Sequence, residues 1–453
     1  MMPARRLEPN QDWACGGIAL RSIPLAIRPF QALVAIPTTL FLASLTAMLL
    51  RPPDVSFYEI DRVAFGLLVF GVAGRALVSY RMPPIVNRAT WPMIGLSSIA
   101  LLSVIGGPSD TQTWSLLIAK FIVPFSLFHL AQLVFRKETS LRHFEWFSLL
   151  MLSYLSFTAI AFLVGARTLI FPRFILDESI GYHVDRARGP LLQAVANGVS
   201  LNLLGLLAVH SYLRKRLRGI GAFVLLGSLP VAILATMTRA VWLSFVISFA
   251  ALLIRGNHPG LRRICGAAAL MGACGVLLAL SFGDQRRSLS ERLRESGPVD
   301  FREAVYAAGW QMFLEKPLIG WGVNQMPAEL ARHVTGYSER ELYPHNTYLE
   351  LLVEHGILGL GLYGWLIWEL FRLGRGRIPR AEREGLLNRG FHAVWPVLLG
   401  VYFMNALVVG MNYQFVNGLL FTIAGMLAAQ QTRASREVQL QVNRRCDAIP
   451  SAS

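Results

Sequence analysis

Residues 113–135 read TWSLLIAKFIVPFSLFHLAQLVF, and Arg136 and Lys137 follow at once. The window holds no Asp or Glu, and Lys120 is its one midspan charge. About 20 consecutive apolar residues in a helix cross the ~30 Å hydrocarbon core of a bilayer, so this stretch reads as a transmembrane helix. The basic pair at its end reads as a cytoplasmic flank.

The same pattern recurs along the chain. Comparable windows fall at 29–50, 62–80, 90–106, 113–135, 146–165, 191–213, 219–237, 239–254, 264–282, 346–371, 391–411 and 413–430. Composition agrees: 54% of the 453 residues are hydrophobic and 15% charged, with a mean hydropathy of +0.47. A solvated globular surface does not fit that balance. The expected fold is therefore all-α, a polytopic membrane helical bundle of about 12 transmembrane helices with one large extracytoplasmic loop containing short helices.

Orientation follows from the basic residues. With a cytoplasmic N-terminus, Arg81 and Arg88, Arg136, Lys137 and Arg142, 214–218, 255–263 and 372–389 all share the side of both tails. By the positive-inside rule that side is the cytoplasm. The formal net charge of +16 is spread over these short patches and forms no continuous face, so nucleic acid is not an expected partner. The organisation read here is a cytoplasmic tail 1–28, helices one to nine over 29–282, a large outer loop 283–345, helices ten to twelve over 346–430, and a cytoplasmic tail 431–453. The first window lacks a clear small-residue cleavage site and reads as a retained signal anchor.

Two outer segments are long, 166–190 and 283–345. In the second, eight Lys/Arg face nine Asp/Glu, so any attraction for anions must be local, as at Arg286, Arg287, Arg292 and Arg294. Phe301, Val305, Ala308 and Met312 fall at helical spacing, with Trp310 and Phe313 beside them. That helix lies either on the bilayer surface or on a small core of the loop itself. Lys316-Pro317 ends it, and Gly320, Gly322 and Pro327 are expected to keep the following stretch irregular.

Common catalytic signatures are missing from the sequence. Gly320-Trp321-Gly322 has no preceding strand and no following Gly-Lys-Ser/Thr, so it is not a phosphate loop. No HExxH and no serine nucleophile elbow occur. His345, Glu350, Glu354 and His355 fall partly on different helical faces, so no metal site is expected. Cys15, Cys265, Cys274 and Cys446 form no CxxC pair and read as inert thiols.

Polar residues gather instead at the outer membrane boundary. Arg239 opens a span in Thr236-Met237-Thr238-Arg239-Ala240-Val241-Trp242, where its charge needs a partner or water, or snorkels. Arg188 precedes another span in Arg186-Ala187-Arg188-Gly189-Pro190. Tyr343-Pro344-His345-Asn346-Thr347-Tyr348-Leu349-Glu350 closes the long loop and opens span ten. On a straight helix Asn346, Glu350 and Glu354 share one side, a polar stripe that suits a wet cavity.

The order of these pieces resembles the O-antigen ligase superfamily, which also contains O-antigen and exopolysaccharide polymerases and protein O-oligosaccharyltransferases. The matching pieces are Arg188-Gly189, Thr236-x-Thr-Arg239-Ala240 (where the family more often has Ser-Arg), Ser296-Gly297 with Arg302, and Glu315-Lys316-Pro317-Leu318-Ile319-Gly320-Trp321-Gly322. Most specific are Pro344-His345-Asn346-Thr347-Tyr348-Leu349 and Glu354-His355-Gly356-Ile357-Leu358-Gly359. The resemblance covers about 186–425, while the first five spans match only in hydropathy.

The resemblance implies a metal-independent, inverting glycosyltransferase without cofactor in the bacterial inner membrane. It would move an undecaprenyl-diphosphate-linked glycan to an acceptor hydroxyl at the periplasmic face, with lipid A core or a second lipid-linked glycan as acceptor and membrane lipids around it. It assigns Arg188 and Arg239 to the donor diphosphate and His345 to the reacting centre, with Arg302, Asn346 and Glu350 as substrate-binding residues. Arginine's fixed charge and forked donors suit phosphate oxygens. His345 either accepts the acceptor's proton or hydrogen-bonds a phosphate, and Glu350 is the alternative base. Ligase and polymerase share this motif set; the single dominant loop leans toward a ligase. The rival class is a polysaccharide transporter or flippase, which should show two similar halves and binding residues near the bilayer midplane.

Overall fold

The computed structural model describes residues 37–51, 60–79, 84–107, 110–181, 184–255, 259–281, 297–334, 342–376, 378 and 385–447. The tail 1–28, the start of the first window, Arg81, Arg286, Arg287, Arg292, Arg294 and Ser296 lie outside the described residues. Within them the chain forms 14 helices and no strand.

The helices are α1 Pro37–Leu49, α2 Ile60–Ser79, α3 Thr90–Gly106, α4 Thr111–Val134, α5 Glu138–Leu163, α6 Ala194–Leu213, α7 Gly219–Ala235, α8 Arg239–Arg255 and α9 Pro259–Ser281. After these come α10 Gly297–Glu315, α11 Met326–His333, α12 Thr347–Leu373, α13 Arg389–Asn405 and α14 Gln414–Asp447. Four of them, α4, α5, α6 and α12, are long and apolar enough to cross a membrane.

Local chemistry sets where key helices begin. Asp110 caps α4 by accepting from the Thr113 amide at 2.6 Å, and Asn388 caps α13 through the Phe391 amide at 3.1 Å. Asn346 caps α12, its side-chain oxygen accepting from Tyr348 N at 3.0 Å and Leu349 N at 3.2 Å.

Helix α6 is the centre of the bundle, buried almost along its whole length. Its C-terminal His210 hydrogen-bonds the carbonyl of Leu386 at 2.8 Å, just before α13 begins, so α6 and α13 run antiparallel. The start of α6 therefore lies at the end of α13, and there Ala406 accepts from the amide of Thr347 at 2.9 Å. Helices α4 and α14 run parallel, with Phe128 beside Gly425 and Arg433 donating to the Arg136 carbonyl at 2.7 Å. The segment before α6, the α7–α8 turn, the end of α13 and the start of α12 thus meet at one end.

Two helices depart from regular geometry. Within α4, residues Ile118–Ile122 form one π-helical turn. Pro124 has no N–H to offer the Lys120 carbonyl four residues earlier, and its ring crowds that carbonyl, so the turn widens where Lys120 sits.

Helix α12 breaks at Gly356, whose backbone (φ 63°, ψ −165°) is nearly restricted to glycine. The expected straight span ten is not observed. Fifteen residues of helix would separate Tyr348 from Tyr363 by roughly 22 Å, yet their ring centroids lie 6.1 Å apart. The first half, 347–355, is folded sharply back on the second.

Between α9 and α12 the long segment builds its own core. Val305, Ala308 and Met312 of α10 pack with Met326 and Leu330 of α11 and with Val353. This decides the environment of α10: its apolar stripe faces the loop's core, while Trp310 stays exposed. Pro327 does not keep its stretch irregular. It sits in the first turn of α11, where its missing N–H is harmless.

Candidate functional site

The bundle end described above gathers the residues singled out in the sequence into two groups. The first holds the two arginine motifs. The amide of Ala187 donates to the carbonyl of Ala235 at 3.1 Å, and Asn197 Nδ2 donates to the carbonyl of Ala187 at 2.8 Å. The 186–188 strip is thereby tied to the turn between α7 and α8.

Thr236, Met237 and Thr238 shape that turn. Thr236 Oγ1 donates to the Ile233 carbonyl at 2.7 Å, Thr238 Oγ1 to the Thr236 carbonyl at 2.9 Å, and Met237 takes a left-handed φ of 47°. Arg239 emerges from it as the first residue of α8 with its side chain exposed. Cation and helix N-terminus are both positive there, so the pair attracts an anion.

Arg188 has a different environment from Arg239. It is 2% exposed, and its guanidinium donates to the carbonyls of Ile175 at 3.0 Å, Ile180 at 2.6 Å and Asp177. These bonds hold the 173–181 loop against the start of α6.

The second group surrounds the break in α12. Residues 317–322 enter the opened helix: Trp321 N donates to Val353 O and Gly322 N to Glu354 O, both at 2.9 Å, and Ile357 N donates to Pro317 O at 2.8 Å. The main chains are so close that a Cβ on Gly320 would stand 2.4 Å from Val353 O. Backbone groups freed by the break are satisfied by this inserted segment, the condition for irregular backbone at membrane depth.

Glu350 and Glu354 both turn to Lys120, which donates to Glu350 Oε1 and, at 3.3 Å, to Glu354 Oε2. Glu354 also accepts from the amide of Asn324 at 2.8 Å, and Asn324 Nδ2 reaches Thr113 Oγ1 at 3.3 Å. The long segment, α4 and α12 are tied together at one buried charge cluster. Lys120 is the part of this site that motif reading passed over. Its signal was a lysine in an otherwise apolar window, the kind of residue that is functional by default in a membrane.

His345 lies just outside α12, exposed, with φ of 46°, an uncommon conformation for a side chain of this size. Desolvation by the surrounding protein, and then Arg302, push its pKa below the ordinary histidine value, while Glu350 acts in the opposite direction. These influences together favour the neutral ring, the form able to accept a proton. Asn346 uses its oxygen as the cap of α12, so of the expected polar stripe Glu350 and Glu354 alone meet Lys120.

Between the halves of α12 lies a small cavity of about 50 Å³, with Lys120, Glu350, Glu354, Tyr363, Asn412 and Phe421 among its walls. A helical bundle with apolar membrane-span helices, a discontinuous helix and a buried charge cluster beside a largely apolar cavity defines the class. Residues 221–364, about a third of the chain, match the family model described as O-Antigen ligase, so this stretch is similar to an O-antigen ligase domain. Members of that family are membrane glycosyltransferases, ligases and polymerases, and their substrates are lipid-linked glycans. The match includes Arg239, Arg302, His345 and Glu350 and leaves Arg188, Lys120 and Asn412 outside. No curated protein matches the chain.

Proposed function

We propose that the protein is an inner-membrane O-antigen ligase with twelve transmembrane helices, both termini in the cytoplasm and its site on the periplasmic face. It moves a glycan from undecaprenyl diphosphate to a hydroxyl of lipid A core. The observation that carries this reading is that an exposed arginine on a helix N-terminus, Arg239, and an exposed histidine at the start of α12, His345, lie at the same end of the bundle as the buried Lys120–Glu350–Glu354 cluster.

In the reaction the acceptor oxygen attacks the anomeric carbon as the bond from that carbon to the diphosphate oxygen breaks. The hydroxyl proton passes to His345, and the negative charge that grows on the leaving diphosphate is stabilised by Arg239 and the α8 N-terminus. Arg302 stands near His345 and favours its neutral form. Arg188 acts through the loop it holds, placing residues 173–181 beside the Arg239 turn.

Glycan analysis of a deletion strain tests the reading. Long lipid-linked chains accumulating without transfer to lipid A core support the ligase; single lipid-linked repeats indicate a polymerase. Unchanged glycan would overturn both. One observation favours a carrier, since a broken helix lined by buried charge is how carriers bind substrate. Loss of lipid-linked glycan translocation in vesicles, with transfer intact, would establish that alternative.

A further inference from the structure

Six large apolar side chains lie open beside the break in α12. Trp310 and Leu314 stand about one turn apart on α10, Leu318 and Ile319 at the tip of the inserted segment, and Ile357 and Leu358 on α12, all between 49% and 65% exposed. They form one patch. Helix α10 ends at Glu315 and leads directly into the tip, and the tip is bonded to α12 by Ile357 N donating to Pro317 O at 2.8 Å and Leu358 N to Leu318 O at 3.3 Å. The patch continues along α12 through Trp365 and Trp368, the exposed side of a helix long and apolar enough to span a membrane.

Depth decides what covers this patch. From Leu373, at the end of α12 beside the basic Arg372 and Arg375, the helical rise to Ile357 is roughly 24 Å, short of the ~30 Å hydrocarbon core. The tip bonded at Ile357 and Leu358 therefore lies at the level of the outer acyl chains. Its main chain suits that depth: the carbonyls of Lys316, Pro317 and Leu318 all accept hydrogen bonds, the first from Gly320 N at 3.2 Å. The two charged side chains at the end of α10 are engaged within the loop, Glu315 with His333 at 3.2 Å and Lys316 Nζ 3.7 Å from the centre of the Trp321 ring. Along the exposed stripe of α10 the order is Glu303, Ala307, Trp310, Leu314. Charge comes first, the indole next and the aliphatic chain last, as on a helix passing from water through the headgroups to the acyl chains.

We propose that the end of α10 and the 317–319 tip are seated in the outer leaflet of the bilayer, with phospholipid acyl chains covering Leu314, Leu318 and Ile319 and the Trp310 indole at headgroup level. The segment between α9 and α12 is then a membrane-anchored platform, and its anchor fixes the height of α10, and with it Arg302, relative to the headgroup layer. The proposal rests on the membrane-spanning part of the proposed function and is independent of the reaction.

The test uses the full chain in phospholipid nanodiscs, its four native cysteines replaced by serine, with a nitroxide attached in turn to Glu303→Cys, Leu314→Cys, Leu318→Cys and Trp365→Cys. Collisions are measured with oxygen, which concentrates among acyl chains, and with a water-soluble nickel chelate. Nickel collisions are expected to be about tenfold lower at 314 and 318 than at 303, because a polar chelate is excluded from hydrocarbon. Oxygen collisions should be higher at both positions, and 365 should match 318. Nickel access at 314 and 318 equal to that at 303, with 365 still shielded, overturns the proposal and leaves the spanning reading intact. Nickel access at 365 as well removes the spanning reading and the proposal with it. Position 318 shielded from both probes means that protein covers the patch, and shielding that appears only once polyprenyl diphosphate is added assigns the patch to a carrier chain; either result overturns the proposal. If a label lowers the unfolding temperature, reaction of the unlabelled cysteine with a water-soluble maleimide takes its place. It should be about tenfold slower at 318 than at 303, and equal rates overturn the proposal.

Discussion

Gly356 and Leu318 are in main-chain contact: a Cβ at position 356 would stand 2.3 Å from the carbonyl of Leu318. The contact allows residues 317–322 to pair with the opened α12, and it creates the cavity on the other side of the bend. Gly356→Ala meets both that collision and a backbone region almost closed to other residues. Its expected cost is at least ~2 kcal/mol, read as a lower unfolding temperature in detergent together with loss of glycan transfer. A variant as stable as wild type would mean that α12 does not need this break.

Lys120 holds two buried carboxylates at once. Lys120→Met leaves both unpaired, and removing one partner of a buried pair costs roughly 3–5 kcal/mol. Lys120→Met combined with Glu354→Gln should recover part of that loss. A double-mutant cycle on thermal unfolding measures the coupling, and strictly additive effects would show that the pair is not coupled.

Arg188 is expected to act through structure. Arg188→Lys cannot reproduce a fork reaching the carbonyls of Ile175, Asp177 and Ile180, so the 173–181 loop should exchange its amides faster and become open to protease. Hydrogen exchange over that loop is the check. Unchanged protection with lost transfer would return Arg188 to direct contact with the donor.

Helix placement was largely legible because bilayer thickness imposes a length and a hydropathy that a window detects. Helices occur at each of the twelve windows, and α3 occupies 90–106 as expected. Motifs singled out Arg239, His345 and Glu350 as candidate site residues, and the fold brings them to one end of the bundle. Three features were hidden for identifiable reasons. Arg188 is bound by backbone carbonyls, which every residue carries and no motif reveals. The bend of α12 depends on one glycine among several in an apolar run, and its effect appears only once residues 317–322 lie against it. Lys120 was noted as a midspan charge, but its partners are more than 200 positions away in the chain.

The pH dependence of transfer should report His345. Its pKa lies below the ordinary value near ~6.5, so the neutral base persists on acidification and the acid limb of the rate profile should fall below that pH. Arg302→Gln removes a cation that opposes protonation. The His345 pKa then rises and the acid limb moves to higher pH. An unmoved limb would separate Arg302 from the reacting centre.

The central claim is that His345 and Arg239 serve one transfer reaction from opposite sides of the scissile bond. It is tested most directly by purified protein in nanodiscs with a polyprenyl-diphosphate-linked glycan and lipid A–core acceptor, following product by mass. His345→Ala and Arg239→Ala, folded and inserted as wild type, should each lower turnover by about a hundredfold or more. Wild-type turnover in either folded variant would contradict the account.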